Sequence, residues 1–337
     1  MQTPSILNET RRPSAVETSL AHRPIGWATM RSGEPRRRRD GAGAGAACLM
    51  LAVHLLLLAS AGATPAVAAS DAPPWSRLEL VAKKLVLKAQ VQVEAEMLSP
   101  QAVQERLQEY AEHRGADPHG ETMAITTVTT FLGRSSRIET LLRPDLEGLQ
   151  RCLVESGERA RFKTYRFGPE EVVAHRGEPA GAPERSLPAD QWSRTSETRI
   201  PVEARRADEV LTDAIALLVA PARLSRERLR SGVSFRVFSG SDEQRVSLRE
   251  TGVEQHTVDY TLGDGSRIHG PRPLRIFEIT PQPTRDGADA FELLGMEGPL
   301  VVRVDYEHLV PVEIEGRMPV LGTIVIRLEQ AVLGGSG

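Results

Sequence analysis

The chain contains 337 residues, with 45 acidic against 42 basic side chains and a net charge of −3. A protein with this balance has no general attraction for nucleic acid or for an anionic membrane surface, so nucleic acid is not predicted as a partner. Aromatic residues make up only 4% of the sequence, which predicts a core built mainly from aliphatic side chains.

The N-terminal region has the pattern of an export signal at residues 46–69. Arginines occupy positions 36–39, a long stretch without charged side chains follows, and small residues then place Ala66 and Ala68 in an A-x-A pattern. This order predicts a secretory signal peptide that is cleaved near Ala68–Ser70, and a mature protein in the periplasm. The alternative is an uncleaved membrane anchor, because about 17–25 apolar residues can span a bilayer.

Residues 1–45 show no apolar periodicity. They are expected to be a disordered leader, or to reflect a translation start placed too early, since Met30 and Met50 are alternative starts. Cleavage would leave roughly 270 residues, enough for one large β-rich domain over residues 70–333. A division into two halves near residues 177–203 is the alternative.

Cys152 is the one cysteine after the predicted cleavage site, so no internal disulfide is expected. It lies between the apolar residues Leu149 and Leu153, which favours burial of the thiol as a small hydrophobic group. An exposed and reactive thiol is the alternative.

The first half of the mature sequence has the pattern of strands with one helix. Apolar and polar residues alternate from Leu85 to Met97, which is the period of a half-buried strand. Ser99 and Pro100 then supply an N-cap and a first-turn proline, which predicts a helix over Ser99–Glu112. Five further strands, separated by glycine and proline, are predicted at Met123–Phe131, Arg137–Leu142, Leu149–Glu155, Arg159–Phe167 and Glu171–His175.

The second half continues with one helix and several more strands. A loop over Gly177–Asp190 precedes a helical apolar stripe at Ala204–Ala220, which Pro221 ends. The period of two then returns, and Gly263–Ser266 is predicted as a hairpin turn. Three regular strands over residues 300–328 follow, each with one dry and one wet face. The predicted fold is mainly β: a curved antiparallel, half-barrel-like sheet with two or three amphipathic helices.

Motifs for catalysis and for cofactor binding are missing from the sequence. It contains no G-x-S-x-G elbow, Walker A loop, dinucleotide fingerprint, H-E-x-x-H or C-x-x-C, so neither enzymatic activity nor a cofactor is predicted. His113, Asp117 and His119 have the atom types of metal ligands, but loop histidines are usually solvated and no metal site is predicted. Glu313 and Glu315 share one face of a strand, where solvation is favoured over an acid–base pair.

Positive and aromatic side chains alternate in Arg159–Phe167, a pattern that can stack nucleic-acid bases. The favoured interpretation is a strand whose Phe162 points inward or covers a neighbouring edge, with its arginines in water. Export to the periplasm disfavours the nucleic-acid interpretation further.

Two segments resemble a domain-of-unknown-function family of exported proteobacterial proteins. The closing stretch Val301–Gly316, running into Gly322–Leu328, is similar to the family's ending: an apolar strand, an Asp, a Leu-Pro-Val-x-Ile-Glu strand and a Gly-led amphipathic strand. Phe162–Phe167 resembles its N-terminal half. Val310 here replaces the more usual Leu, and the usual Trp before the Asp is missing. The family has no established activity, but the resemblance implies a shape similar to the lipoprotein-localisation half-barrels, whose curved sheet holds acyl chains under a helical lid.

Two functions are consistent with this sequence. The predicted function is a non-catalytic periplasmic binding or carrier protein for an apolar ligand, either a lipid or a lipoprotein acyl chain. The alternative is a structural or accessory cell-envelope protein whose fully packed sheet contacts an envelope protein partner. For the carrier, the helix at Ala204–Ala220 or at Ser99–Glu112 would be the lid. The ligand-binding residues would then lie on the inward face of the closing strands: Val302, Val304, Tyr306, Val312, Ile314, Ile324 and Ile326.

Overall fold

A computed structural model describes most of the chain from residue 72 onward. The described ranges are 72–84, 87–110, 115–118, 120–131, 133–157, 160–203, 209–239, 242–283, 290–319 and 321–334. The predicted leader and signal peptide, residues 1–69, lie outside the described residues, as do His113 and His119. Within the described ranges, no helix has the length and apolar character needed to cross a membrane.

Sixteen strands form one hydrogen-bonded sheet, which confirms the predicted mainly β fold. Their bounds are β1 Trp75–Lys84, β2 Leu87–Leu98, β3 Thr122–Phe131, β4 Arg134–Leu142, β5 Gly148–Glu155, β6 Arg161–Phe167, β7 Glu171–Glu178, β8 Arg194–Pro201, β9 Leu211–Asp213, β10 Val233–Ser239, β11 Asp242–Leu262, β12 Arg267–Pro283, β13 Glu292–Leu293, β14 Met296–Asp305, β15 Pro311–Met318 and β16 Gly322–Leu333. The order across the sheet is β8-β7-β6-β5-β4-β3-β2-β1-β16-β15-β14-β12-β11-β10-β9, with β13 paired to β14. Pairing is antiparallel except between β9 and β10 and between β11 and β16.

The sheet curves back on itself in its C-terminal half. β11 and β12 form a long hairpin whose turn lies at Gly263–Ser266, as predicted, with Gly265 at a φ of 87°. The end of β11 also pairs in parallel with β16, where Thr261 is opposite Gln330. Strands β11, β12, β14, β15 and β16 therefore form a closed ring of hydrogen-bonded neighbours.

Within the described ranges, four short α-helices accompany the sheet: α1 Pro100–Arg106, α2 Ala182–Arg185, α3 Ala216–Arg223 and α4 Arg226–Ser231. The side chain of Ser99 caps α1 by accepting a hydrogen bond from the Ala102 backbone N–H, as the sequence predicts. The helix is shorter than predicted, because Leu107 already has extended backbone angles.

Helix α3 lies inside the curved sheet. Its residues from Ala216 to Pro221 are all buried and pack against inward side chains from both halves of the sheet. The prediction of a lid-forming helix over Ala204–Ala220 is therefore wrong, since residues 211–213 form β9 and the helix begins only at Ala216. A helix that is apolar on all sides is typical of a core rather than of a cover.

Buried charges attach α3 and α4 to the sheet. Glu250 of β11 is 4% exposed, and its carboxylate accepts hydrogen bonds from Arg275 at 2.7 Å and from Arg226 at 2.9 Å. Arg275 also donates to the carbonyl oxygen of Pro221 at 3.2 Å. Burial acts to raise the pKa of Glu250, but the two guanidinium groups outweigh it and hold the pKa below its ordinary value.

A second buried polar cluster ends β14. Asp305 is fully buried, although the alternation of the strand predicts that it lies on the wet face. Its carboxylate accepts hydrogen bonds from the backbone N–H groups of Glu307 and His308, each at 2.9 Å, from the Tyr260 hydroxyl at 3.1 Å and from Arg272 at 3.3 Å. Burial acts to raise the pKa of Asp305, but the hydrogen bonds from the two backbone N–H groups and from Arg272 outweigh it and lower the pKa below its ordinary value. The alternation fails because Asp305 caps the turn that follows the strand.

The most regular predicted strands are present. The five strands predicted between residues 123 and 175 correspond to β3–β7. In the closing strands, Val302 lies directly opposite Ile314, and Ile314 lies directly opposite Ile326, so these three side chains share the predicted dry face. The sequence pattern does not predict β1, β8, β9 and β13. β8 is exposed along almost its whole length, so it has no apolar alternation to detect.

Candidate functional site

A cavity of about 270 Å³ lies on the concave side of the sheet, beside the start of α3. Much of its wall comes from β1–β4, through apolar or small side chains that include Ala82, Ala89, Val91, Thr127, Thr129 and Ile138. Ligand pockets usually have volumes of about 300–1,000 Å³, and an apolar cavity of roughly 150 Å³ is enough to bind benzene. The volume therefore suits a small apolar molecule or one segment of an acyl chain.

Small side chains leave this space open. Thr129 of β3 lies directly opposite Val91 of β2 and Ser136 of β4, and Ala82 of β1 lies directly opposite Ala89 of β2. Protein interiors are normally close-packed. Where neighbouring strands bring short side chains together, the interior of the curve stays unfilled.

A turn of unusual sequence closes one end of the cavity. Strands β13 and β14 are joined by Leu294 and Gly295, which have φ angles of 54° and 80°. Two positive φ angles are typical of a type I′ hairpin, in which Asn-Gly is a common sequence. A left-handed leucine is rare, and here it lines the cavity. The Leu-Gly sequence explains why turn composition does not predict this hairpin.

Three charged side chains line the same cavity and give it a polar end: Arg151, Asp213 and Glu292. The Nε atom of Arg151 lies 3.4 Å from Oδ2 of Asp213, an oxygen that is buried without a hydrogen-bond partner in the described part of the chain. Glu292 faces the open volume, yet the surrounding protein removes part of its hydration and raises its pKa, which Arg151 partly opposes. Over the described ranges, no group of three His, Cys, Asp or Glu side chains is placed to hold a metal ion.

A second space of about 310 Å³ adjoins the cavity, because Thr129, Phe131 and Ser136 line both. Its outer wall carries the ion pair between Glu155 and Arg161, in which Nη2 of the arginine donates to Oε1 at 2.9 Å. The apolar cavity thus continues into a more polar groove.

The predicted ligand-binding residues are mostly core residues. Six of the seven are no more than 6% exposed: Val302, Val304, Val312, Ile314, Ile324 and Ile326. Of these six, Ile326 lines the cavity of about 270 Å³, and all six pack in the large cluster that contains α3. The inward direction was predicted correctly for them, but their role in ligand binding stays a prediction.

Tyr306 is the exception, because it does not lie on the inward face. It follows β14 in a turn and is 46% exposed, and Arg226 donates a hydrogen bond to its hydroxyl at 3.1 Å. The prediction extended the alternation of β14 to Tyr306, whereas the strand ends at Asp305 and the chain changes direction there.

Val312 lines a separate groove of about 700 Å³ beside the β11–β12 hairpin. The charged side chains of this groove form ion pairs with one another: Lys83 with Glu329, Arg267 with Asp259, and Arg327 with Glu313. Because these charges already form ion pairs with one another, the groove has fewer unpaired charged groups for a charged ligand than the cavity has.

Cys152 lies on the face of β5 opposite to the cavity. It is half-buried, and its sulfur accepts a weak hydrogen bond from Oγ1 of Thr164 at 3.6 Å. Burial raises the pKa of the thiol, which lowers the fraction of reactive thiolate. Its resistance to thiol reagents stays a prediction.

The aromatic and basic segment of β6 differs from its predicted arrangement. Phe162 packs on the same outer face as Cys152, with ring centroids 5.2 Å from His175 and 6.0 Å from Trp192. Arg166 is only 8% exposed and donates hydrogen bonds to the carbonyl oxygens of Leu149 and Ala116. The expectation that all arginines of this strand lie in water is therefore wrong for Arg166.

The cavity-lining residues of β2–β4 were not predicted from the sequence. A signal was present in the run Thr126–Thr130, where the inward positions Thr127 and Thr129 hold threonine instead of larger aliphatic residues. This signal marks a site only when the neighbouring strands are known, because the cavity depends on which small residues lie opposite one another.

Comparisons with known proteins found a structural likeness. No protein-family model matches the sequence, and no curated protein matches it. A solved structure, the beta-barrel-like protein of the domain of unknown function DUF1849 from Brucella abortus, is similar with a TM-score of 0.41 and 9% sequence identity. The likeness covers 78% of this chain and 98% of that one. The chain is thus similar to a protein of a domain of unknown function, at a level that carries no argument about ligands.

Proposed function

We propose that this protein is exported and binds an apolar ligand, a lipid or a lipoprotein acyl chain, in the cell envelope without catalysing a reaction. The observation that carries the proposal is the cavity of about 270 Å³, walled largely by apolar and small side chains between the curved sheet and the residues that precede α3. Transfer of hydrocarbon from water contributes about 25 cal/mol per Å² of buried area, so an acyl segment gains free energy by entering such a cavity.

The adjoining groove indicates the direction in which a longer ligand would extend from the cavity. The cavity is too small for a whole lipid, but it continues into the space of about 310 Å³ past Thr129 and Ser136. A hydrocarbon chain with its end in the cavity would leave across this side of the sheet, and its polar end would meet the charged side chains of β5–β7. Export rests on the sequence pattern at residues 46–69.

A structural or accessory role in the envelope is the second candidate. Two observations favour it: α3 fills much of the concave side, and β8 is an exposed strand at the edge of the sheet. An exposed edge strand offers unpaired backbone groups to a strand of a partner protein.

The experiment is a binding measurement on the mature protein purified without detergent. Extracted lipid would be identified by mass spectrometry, and a fluorescent fatty acid would be titrated into the delipidated protein. Thr129→Phe places an aromatic ring into the cavity and should weaken binding by about tenfold or more, since 1.4 kcal/mol corresponds to a factor of ten. Val128→Phe is the matched control, because it adds an aromatic ring on the opposite face of the same strand.

The two variants and the wild type separate the candidate functions. Weakened binding in Thr129→Phe together with normal binding in Val128→Phe supports the cavity as the ligand site. A folded wild type that carries no lipid and binds no fatty acid overturns the carrier function and leaves the accessory role. An equal loss in both variants would mean that the ligand binds elsewhere.

A further inference from the structure

A row of side chains leads from the cavity to two cations on the same face of the sheet. Ile138 of β4 lies directly opposite Leu153 of β5, Leu153 lies opposite Lys163 of β6, and Lys163 lies opposite Arg176 of β7. Directly opposite residues of antiparallel strands point to the same face. Adjacent strands are about 4.8 Å apart, so Lys163 lies about 10 Å across the sheet from Ile138, which lines the cavity.

Lys163 and Arg176 carry the same charge and lie directly opposite each other on neighbouring strands, an arrangement that destabilises a sheet. Neither the Lys163 ammonium nor the Arg176 guanidinium makes an ion pair or hydrogen bond with another described residue. The nearby carboxylate of Glu155 is held by Arg161. Burial lowers the pKa of Lys163, the charges of Arg161 and Arg176 lower it further, and the Glu155 carboxylate partly opposes them.

The same sheet contains an equivalent pair with its charge compensated. Arg236 of β10 lies directly opposite Arg245 of β11, and the carboxylate of Glu209 lies between them, 3.8 Å from Arg236 and 3.0 Å from Arg245. Lys83 and Lys88 form a third like-charged pair, but Lys83 is strongly exposed and pairs with Glu329 at 3.3 Å. Lys163 is half-buried and Arg176 is exposed, and the two differ from both other pairs because no carboxylate of the described chain forms an ion pair with either of them.

We propose that Lys163 and Arg176 bind the anionic head group, a carboxylate or a phosphate, of an amphiphile whose hydrocarbon tail occupies the cavity. This inference rests on the proposed function and names the class of ligand for it. The anion lies between Lys163 and Arg176, as the Glu209 carboxylate lies between Arg236 and Arg245. The half-buried Leu153 provides an apolar surface between the head group and the tail.

The test compares two probes with the same tail length, dodecyl phosphate and 1-dodecanoylglycerol, by calorimetric titration of the mature, delipidated protein. Inorganic phosphate alone is the third titrant. In Lys163→Gln/Arg176→Gln, the affinity for dodecyl phosphate should fall about tenfold or more, because hydrogen bonds to charged groups are lost. Its affinity for the neutral glycerol probe should change less than about twofold. Lys88→Gln, which removes a cation from the exposed pair, should leave all three affinities unchanged.

The thermal midpoint of the ligand-free variant shows that the fold is intact, and it should not fall, because a repulsion is removed. If the wild type binds both probes and the double variant binds dodecyl phosphate equally well, the head-group inference fails while the proposed function stands. If the folded wild type binds neither probe, the proposed function fails with it. If inorganic phosphate binds as tightly as dodecyl phosphate and loses affinity in the double variant, the ligand is a free anion and the amphiphile is overturned.

Discussion

Strands β10–β12 and β14–β16 place large apolar side chains on their inward face, among them Phe235, Phe277, Ile279 and Leu300, whereas β1–β4 bring alanine, serine and threonine together around the cavity. Both halves belong to one sheet, and both face α3. The cavity therefore arises where the inward side chains become smaller, with no break in the hydrogen bonding of the strands.

Charges follow the same division. In the C-terminal half, the buried carboxylate of Glu250 is held by two arginines, and that of Asp305 by four hydrogen-bond donors. Around the cavity, by contrast, Oδ2 of Asp213 has no hydrogen-bond partner in the described part of the chain, and Lys163 faces another cation. The two buried carboxylates of the C-terminal half are thus paired within the chain, whereas one carboxylate oxygen beside the cavity is not.

The largest expected effect comes from placing the same charge in each half. Ile314→Asp puts a carboxylate at a position that is 0% exposed, where an unpaired ion costs several kcal/mol. This change should unfold a domain whose stability is about 5–15 kcal/mol. Thr129→Asp puts the carboxylate beside the open cavity and should cost no more than about 2 kcal/mol. Urea unfolding measures both, and equal losses would contradict a difference between the halves.

A smaller effect is expected when the buried polar cluster of the C-terminal half loses its charge. Asp305→Asn removes the carboxylate from Arg272 and should cost about 2–4 kcal/mol at neutral pH. The folded-state pKa of Asp305 lies below that of an unfolded aspartate, so its contribution is fully present above the unfolded pKa and is lost as the pH falls through the folded pKa. The stability difference between wild type and variant should therefore shrink in acid. A difference that stays constant from neutral pH down to about pH 2 would show that the charge is not responsible.

The smallest effects are expected on the outer face of the closing strands. The Arg327 side chain is 67% exposed and donates one hydrogen bond to Glu313, so Arg327→Ala should change stability by no more than about 0.5 kcal/mol. Arg303 is 16% exposed and donates to both Glu313 and Glu315. Arg303→Ala should therefore cost more, about 1–2 kcal/mol. Chemical denaturation of the two variants side by side checks the ranking, and a reversed order would mean that exposure does not govern these pairs.

Features that depend on neighbouring residues in the chain could be predicted. The turn at Gly263–Ser266 follows from Asp-Gly chemistry, and the inward positions of β14–β16 follow from the period of two. Ser99 was recognisable as a helix cap because capping involves only the first turn.

Features that depend on strand neighbours could not be predicted. An apolar helix such as α3 covers a sheet or fills it according to how far the sheet curves, and no local pattern specifies that curvature. The cavity forms because Thr129 lies directly opposite Val91 and Ser136, and the cationic pair forms because Lys163 lies directly opposite Arg176. Each of these pairs depends on the register of neighbouring strands, and a shift of one residue would turn the side chains to the other face of the sheet.

The pairing of β1 with β16 has a consequence for the order of folding. These strands are neighbours in the middle of the sheet, yet Ser76 and Val332 form a hydrogen bond across a sequence separation of 256 residues. Contacts of such long range close slowly, because the loop entropy is lost before the contact stabilises the chain. Ala82 and Ile326 are direct partners in this pairing, and both line the cavity. The cavity is therefore completed only when β16 docks, so a nascent or partly refolded chain in which β16 is unpaired has an incomplete cavity wall.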